Sequence, residues 1–441
     1  MKPAFVVDLN RCTGCQACIV ACWMENRDHQ RLPWRQVHTY NAFHHPLHPT
    51  FHLSLACHHC EHPACLAQCP ARAYSRVEAT GAVLMDPARC MGCRYCTWAC
   101  PHDAPKFEPR ARVIEKCTFC QARLQEGLEP ACVARCPVEA LALDPDRSLL
   151  SEASVSGFPA SALEPGIRFV PLRRAEPPEA SQVAPAASLS RFLDGLLPAP
   201  PAKITLRGEW TLVLFTTVLS LLAAWQAASL FGGPPSRPWV QVLLGAVAMG
   251  LSTWHLGHPE RAWRALLNVR HSWLSREIAL VSLFLGLIAM QALGGLEPRT
   301  LGWAATLTGF AALFAVDRIY RVALRTGPWD LHSAHVLLNA LYLFGWLSPF
   351  RSVAVVAGAV KLLLYGHRTW HAHRHGRPPR MAWSLARILT GFLAPWFLPG
   401  HLAAASALSG DLLDRCEYYD ELDIPSPANQ MVREMRKQMG L

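Results

Sequence analysis

A chain of 441 residues has room for two or three domains, and this one is chemically divided: sixteen of seventeen cysteines precede residue 137, while long apolar stretches fill residues 208–417. The formal charge of +10 suggests nucleic acid at first sight. No groove-reading motif accompanies it, and if the cysteines are anionic ligands much of that charge is offset, so nucleic-acid binding is set aside.

The opening MKPAFVVDLNRC is an apolar stretch of strand length with no small-residue cleavage site and no twin-arginine run. That favours the cytoplasm unless a folded partner carries an export signal for both. The cysteines then arrive in four groups of four: Cys12, Cys15, Cys18 and Cys22; Cys57, Cys60, Cys65 and Cys69; Cys90, Cys93, Cys96 and Cys100; Cys117, Cys120, Cys132 and Cys136. Groups one and three share C-x2-C-x2-C-x3-C, and groups two, three and four end in Cys-Pro at Pro70, Pro101 and Pro137. This is the bacterial ferredoxin run, in which three thiolates hold one cluster and the fourth reaches a second. The expectation is that the fourth cysteine starts a helix with the proline in its first turn. FVVDLNRCTGC and VLMDPARCMGC repeat one shape (strand, Asp, cluster loop), as duplicated modules would.

Disulfides fit poorly, because cysteines three apart bridge badly and nothing marks a small secreted fold. Group four alone would pass for a zinc knuckle, but groups one and three carry cluster spacing. If the fourth cysteines cross over in a nested arrangement, one module holds Cys12, Cys15, Cys18 and Cys136 beside Cys117, Cys120, Cys132 and Cys22. The inner module holds Cys57, Cys60, Cys65 and Cys100 beside Cys90, Cys93, Cys96 and Cys69. Pairing group one with two and three with four is equally allowed by spacing. The histidines of HHPLHPTFHLSLACHHCEHPAC read as surface residues or as neighbours of the ligands rather than as ligands.

A Pro/Ala-rich linker follows (EPPEASQVAPAASLS, then LLPAPPAK), and then eight apolar stretches: 208–231, 238–256, 276–295, 300–320, 331–350, 352–367, 382–398 and 400–417. The expected architecture is an α+β ferredoxin-like domain of two 2×[4Fe–4S] modules over 1–175, a linker over 176–205, an all-α transmembrane bundle of about eight helices over 206–420, and a C-terminal tail over 421–441. Eleven arginines (Arg261, Arg264, Arg270, Arg276, Arg318, Arg321, Arg325, Arg368, Arg374, Arg377 and Arg380) fall on the loops of the N-terminal side, against Arg237, Arg299 and Arg351 opposite. By the positive-inside rule the cysteine domain faces the cytoplasm of a multi-pass bacterial inner-membrane protein.

Within STWHLGHPERAWRALLNVRHSWLSREI, His255 and Glu277 stand at neighbouring helix ends on that side, suitable in type and depth for the oxygens of a quinone. Headgroup-level residues would look the same. His367, His371, His373 and His375 trail into a polar loop, so no haem is expected. Arg387, Asp317 and Tyr320 lie within or at the ends of helices and are functional candidates by default. The acidic CEYYDELDIPSP reads as a solvated or partner-facing end.

Residues 1 to about 175, including CHHCEHPAC and CRYCTWACP, resemble the four-cluster iron–sulfur subunit (DmsB-like) of the dimethyl sulfoxide reductase and sulfite dehydrogenase (SoeBC-like) molybdoenzyme family. Residues from about 208 to 419 are similar to its DmsC-like membrane anchor, through GEWTLVLFT, HLGHPERAWRALLN…SWLSREI and GDLLDRCEYY. The resemblance implies the nested pairing, four [4Fe–4S] clusters, ubiquinone or menaquinone at His255 and Glu277, and a separate molybdenum bis-pyranopterin catalytic subunit. The two subunits are fused here. Relatives that reduce sulfoxides face the periplasm and sulfite-oxidising ones the cytoplasm, so the arginines favour a cytoplasm-facing sulfite dehydrogenase. A quinol-oxidising sulfoxide or oxyanion reductase, or a ferredoxin–membrane module serving several soluble donors, are the alternatives.

Overall fold

In a computed structural model that describes residues 3–44, 48–145, 155–173, 202–294, 297–322, 332–374, 381–422 and 424–438, one supersecondary pattern recurs through the N-terminal part. β1 (Ala4–Asp8) and α1 (Ala17–Asn26) flank the first cysteine loop. A hairpin of β2 (Gln36–Tyr40) and β3 (Phe51–Leu55) leads to the second group and the short α2 (Ala64–Ala67). The hairpin of β4 (Tyr74–Arg76) and β5 (Val83–Met85) precedes the third group and α3 (Tyr95–Ala99). That of β6 (Lys106–Glu108) and β7 (Val113–Glu115) precedes the fourth, which spans α4 (Gln121–Gln125) and α5 (Ala131–Ala134). β8 (Leu141–Asp144) and β9 (Ile167–Val170) flank β1, antiparallel and parallel respectively.

The repeat read in the sequence is a repeat of backbone. Cys12 N donates to Asp8 O at 3.1 Å and Cys90 N to Asp86 O at 3.2 Å. Gly14 and Gly92 both have φ of 71°, and Gln16 and Arg94 follow at φ 62° and 59°. Left-handed backbone at a non-glycine is uncommon, so its recurrence at equivalent positions marks a loop wound to one specification.

The expected helix start at each fourth cysteine is corrected. In groups two, three and four the helix carries the third cysteine or ends close after it, and the fourth lies beyond the last helical residue. Cys100, the C-cap of α3, is extended at φ −98°, ψ 108°. A residue before proline is driven out of the helical region, so Cys-Pro here stops a helix. Only Cys22 lies inside one, α1.

This N-terminal part, Met1–Pro201, forms one unit together with Pro425–Leu441, and Ala202–Ile424 form the other. The core of the first unit gathers Phe5, Val7, Leu53, Phe119 and Phe169. Each such side chain contributes about 1.5–3 kcal/mol on full burial.

The second unit is helical: α6 (Leu206–Leu230), α7 (Pro238–Trp254), a 3-10 segment over Pro259–Asn268, α8 (Trp273–Leu293), α9 (Pro298–Ile319), α10 (Val336–Leu347), α11 (Arg351–Arg374), α12 (Met381–Arg387) and α13 (Gly400–Glu421). Thr205 Oγ1 caps α6 by accepting from Gly208 N at 3.1 Å, and Ser272 caps α8 through Ser275 N. α6 is the central helix, packed on α7, α9, α10 and α13.

Eight spans are not what the described residues show. Three helices are long and apolar enough to cross a membrane (Leu206–Leu230, Trp273–Leu293 and Arg299–Ile319), and a fourth if α7 and the 3-10 segment, bent by 100°, count as one. The shortfall has a physical cause: α10 is only 12 residues long, α12 passes into π and 3-10 turns at Ile388–Trp396, and α11 and α13 carry buried charges. Arg325, Arg377, Arg380 and His375 lie outside the described residues, as do the side chains of Arg374, His371 and His373.

The end of the chain is also corrected. Tyr418, Tyr419, Leu422 and Ile424 are buried rather than solvated. A final helix, α14 (Pro427–Gln438), packs into the first unit. Met431 and Met435 enter its core, Gly157 N donates to Glu434 Oε2 at 2.6 Å, and Tyr40 OH donates to Gln438 Oε1 at 3.0 Å.

Candidate functional site

Neighbouring thiols come from different sequence groups. The thiols bearing electrostatically on Cys12 are Cys18, Cys136 and Cys15. Around Cys22 stand Cys132, Cys120 and Cys18, and around Cys117 stand Cys22, Cys57 and Cys120. Cys60 and Cys65 meet Cys57 and Cys100; Cys93 and Cys96 meet Cys69 and Cys90. Cys18 also acts on Cys22 and Cys132, and Cys57 on Cys117. Among the described residues no three Cys, His, Asp or Glu side chains converge as they would on a single ion.

Burial pushes the Cys22 thiol up to about 12 and raises Cys60, Cys65, Cys93, Cys96 and Cys117 as well. A buried thiolate needs a cation or a metal to offset desolvation. Backbone donors are already in place: Ala73 N points to Cys69 Sγ and Phe119 N to Cys117 Sγ, both at 3.3 Å.

Iron–sulfur cubanes fit this arrangement on three counts. Cys57, Cys60, Cys65 and Cys100 together line one cavity, with His58, His59 and Lys116 on its wall. His58 is buried, and neither ring nitrogen has a hydrogen-bond partner. Arg35, equally buried, has Nε and Nη2 unpartnered. Most buried donors have an acceptor, so unpartnered ones beside the thiols are places where a bound group could accept. Of the two readings of the group-two histidines, His58 and His59 fit the neighbours of the ligands rather than surface residues. His59 Nδ1 accepts from Val83 N at 2.9 Å, its ring stacks on Phe119, and burial lowers the pKa of His58.

In the second unit, His255 is the half-buried C-cap of α7, at the 100° bend into the 3-10 segment. Glu277 lies in the first turns of α8 and is 6% exposed. Its charged and polar neighbours are Arg415 and Tyr320, from α13 and the end of α9. Arg415 donates to Thr216 Oγ1 at 3.2 Å and Ala334 O at 3.1 Å, and lies 4.9 Å from the ring centres of Tyr320 and Tyr418. Tyr320 and Tyr419 share a hydroxyl–hydroxyl bond.

A ladder of ion pairs runs along α13, which sequence reasoning missed. Asp411, Asp414, Glu417 and Glu421 recur at helical spacing on one face. Lys361 lies 2.8 Å from Asp411 and 3.6 Å from Asp414; Arg387 lies 2.5 Å from Asp414; Arg368 reaches Asp414, Glu417 and Glu421 at 3.3, 2.7 and 3.3 Å. Arg368 is thus a buried helix residue and leaves the count of loop arginines. Asp317 caps α10, accepting from Val336 N at 3.0 Å and Leu337 N at 3.2 Å. The signal available was GDLLDRCEYYDE, too rich in charge for lipid yet spaced to place its acids on one side.

Known proteins align with both halves. A family described as 4Fe-4S dicluster domain matches residues 49–145, and one described as DMSO reductase anchor subunit (DmsC) matches 237–323. Similar relatives include YnfG of Escherichia coli, a probable anaerobic dimethyl sulfoxide reductase chain, 34% identical over 39% of the present sequence and 90% of its own length. A chain of the anaerobic dimethyl sulfoxide reductase of the same organism is 37% identical over 32% and 72%. A subunit of the sulfite dehydrogenase of Allochromatium vinosum is 33% identical over 35% and 72%.

Proposed function

This protein belongs to the iron–sulfur subunits of the dimethyl sulfoxide reductase family, joined to an anchor of the DmsC kind, and from that premise we propose that it relays electrons between a molybdenum bis-pyranopterin catalytic subunit and membrane quinone. The observation that carries this reading is that neighbouring thiols come from different sequence groups. The ligands would be Cys12, Cys15, Cys18 and Cys136; Cys22, Cys117, Cys120 and Cys132; Cys57, Cys60, Cys65 and Cys100; Cys69, Cys90, Cys93 and Cys96. When bound, each [4Fe–4S] cluster supplies a one-electron carrier. The protein's part is to exclude water from the sulfurs, donate hydrogen bonds to them and hold the sets in a row.

At the other end His255 and Glu277 would face the quinone oxygens. A buried carboxylate beside Arg415 and Tyr320 is suited to exchanging a proton where two electrons and two protons must move together. Support for a cytoplasmic cluster domain comes from Arg261, Arg264, Arg270, Arg276, Arg318 and Arg321, against Arg237, Arg299 and Arg351. On that side the reaction is sulfite oxidation with electrons passed to quinone. Transport in reverse, quinol driving a reductase, is the second reading, favoured by the relatives named as dimethyl sulfoxide reductase chains.

Two experiments test this. Purification from membranes should bring down a stoichiometric molybdenum-containing subunit and four irons per thiol set; a preparation without such a partner refutes the assignment. Protease should cut residues 1–175 in inverted vesicles and spare them in spheroplasts, and the opposite pattern would favour the reductase.

A further inference from the structure

Two basic side chains are buried among the thiol sets without a carboxylate. Arg35 is 1% exposed and forms no ion pair with Asp or Glu among the described residues. Its Nη1 donates to Ser54 O and Oγ, both at 3.1 Å, and Ser54 Oγ lies 3.3 Å from Cys18 Sγ. The guanidinium carbon is 4.7 Å from the centre of the Phe5 ring, while Nε and Nη2 have no partner. The groups acting on its charge are Cys18 of the first set and Cys22, Cys117 and Cys132 of the second. Arg35 therefore stands at the junction of those two sets.

Lys116 repeats this at the next junction. It is 3% exposed, its Nζ donates to Cys117 O at 2.8 Å and to Val83 O, and no carboxylate pairs with it among the described residues. It acts on Cys117 of the second set and on Cys60 and Cys65 of the third, and lines the cavity with all four third-set thiols. At the last junction the residue between Cys65, Cys69 and Cys96 is the uncharged Tyr74.

Burying an unpaired cation costs several kcal/mol, so an anion must compensate it, and the anions available here are thiolate-ligated clusters. The same attraction works in reverse. A fixed positive charge favours the electron that arrives and so raises the reduction potential of its neighbours. We infer that Arg35 and Lys116 are positioning charges that hold up the potentials of the first three clusters, leaving the fourth, at Cys69, Cys90, Cys93 and Cys96, without a fully buried, carboxylate-free cation of this kind among the described residues. This rests on the ligand sets proposed above.

The test is a redox titration followed by electron paramagnetic resonance, on membranes holding the full complex, with Arg35→Gln, Arg35→Lys and Lys116→Gln. Arg35→Gln should make the first and second clusters at least tenfold harder to reduce, a fall of 59 mV for one electron. Lys116→Gln should do so for the second and third. The fourth should not move in either, and Arg35→Lys should restore much of the loss. Unchanged potentials with all iron retained overturn the inference, as does an equal fall in all four. Loss of iron from both Gln variants also overturns it, by assigning the cations to assembly. A wild-type complex lacking four irons per set would instead sink the ligand sets themselves.

Discussion

Replacing Asp414 with Asn removes the carboxylate that touches all three buried cations of the α13 ladder. Lys361 would keep Asp411 at 2.8 Å, and Arg368 would keep Glu417 at 2.7 Å. Arg387, itself 1% exposed, would be left with Glu417 at 3.8 Å, and Ser333 would lose a charged acceptor at 3.0 Å. Breaking one partner of a buried pair typically costs about 3–5 kcal/mol, because the surviving charge stays desolvated. Glu421→Gln is the internal control. That residue also pairs with Arg368, at 3.3 Å, but its side chain is 38% exposed, so its loss should cost no more than about 1 kcal/mol. Denaturant midpoints of the detergent-purified protein measure both. If Asp414→Asn proves no less stable than Glu421→Gln, the ladder does not hold the helices together and the argument from burial is wrong.

Gly410→Ala should destabilise the same unit by about 1–3 kcal/mol, since its Cβ would meet Gly391 Cα at 2.2 Å, backbone that cannot turn away. Gly391→Ala, whose Cβ meets Gly410 Cα at 3.1 Å, should be milder, and thermal melting will rank them. Gly157→Val would put a side chain where Met431 lies 2.4 Å from the Cβ, on backbone at φ +80°, and should loosen α14. Limited proteolysis near 425 would then speed up several-fold, and an unchanged rate would deny that the helix is docked. Glu277→Gln should lower quinone-coupled turnover at least tenfold while dye-linked reduction of the clusters stays normal; equal turnover would remove Glu277 from the proposed quinone site.

The cysteine chemistry was legible because ligand spacing is local: three thiols in seven residues announce a loop, and the repeated Asp and Gly announce the same loop twice. Which fourth cysteine joins which three was not fixed locally, since two pairings satisfy the spacing. The membrane half was read by length and apolarity, which does not see charges that are neutralised in three dimensions. Lys361 and Asp411 are fifty residues apart, and nothing near either one shows that they meet. Arg368 was counted as a loop residue for the same reason. Asp317 and Tyr320 were noticed, but a helix cap and a tyrosine pair are contacts that only the fold supplies. The last helix carried a signal, Met431, Val432 and Met435 on one stripe, which the acidic run before it obscured.

Because α14 completes the core of the first unit, the order of synthesis and the order of folding disagree. The cysteine loops leave the ribosome before the helices of the second unit, yet Met431 and Met435, which join the hydrophobic cluster around Phe5 and Phe169, are made after them. The growing chain must therefore carry an unfinished, sulfur-rich domain through the whole period of membrane insertion. Until then the cluster around Phe5 and Phe169 lacks two of its buried side chains. Fusion at the first boundary fixes stoichiometry; return of the polypeptide at the second delays completion of that core until the intervening helices have been made.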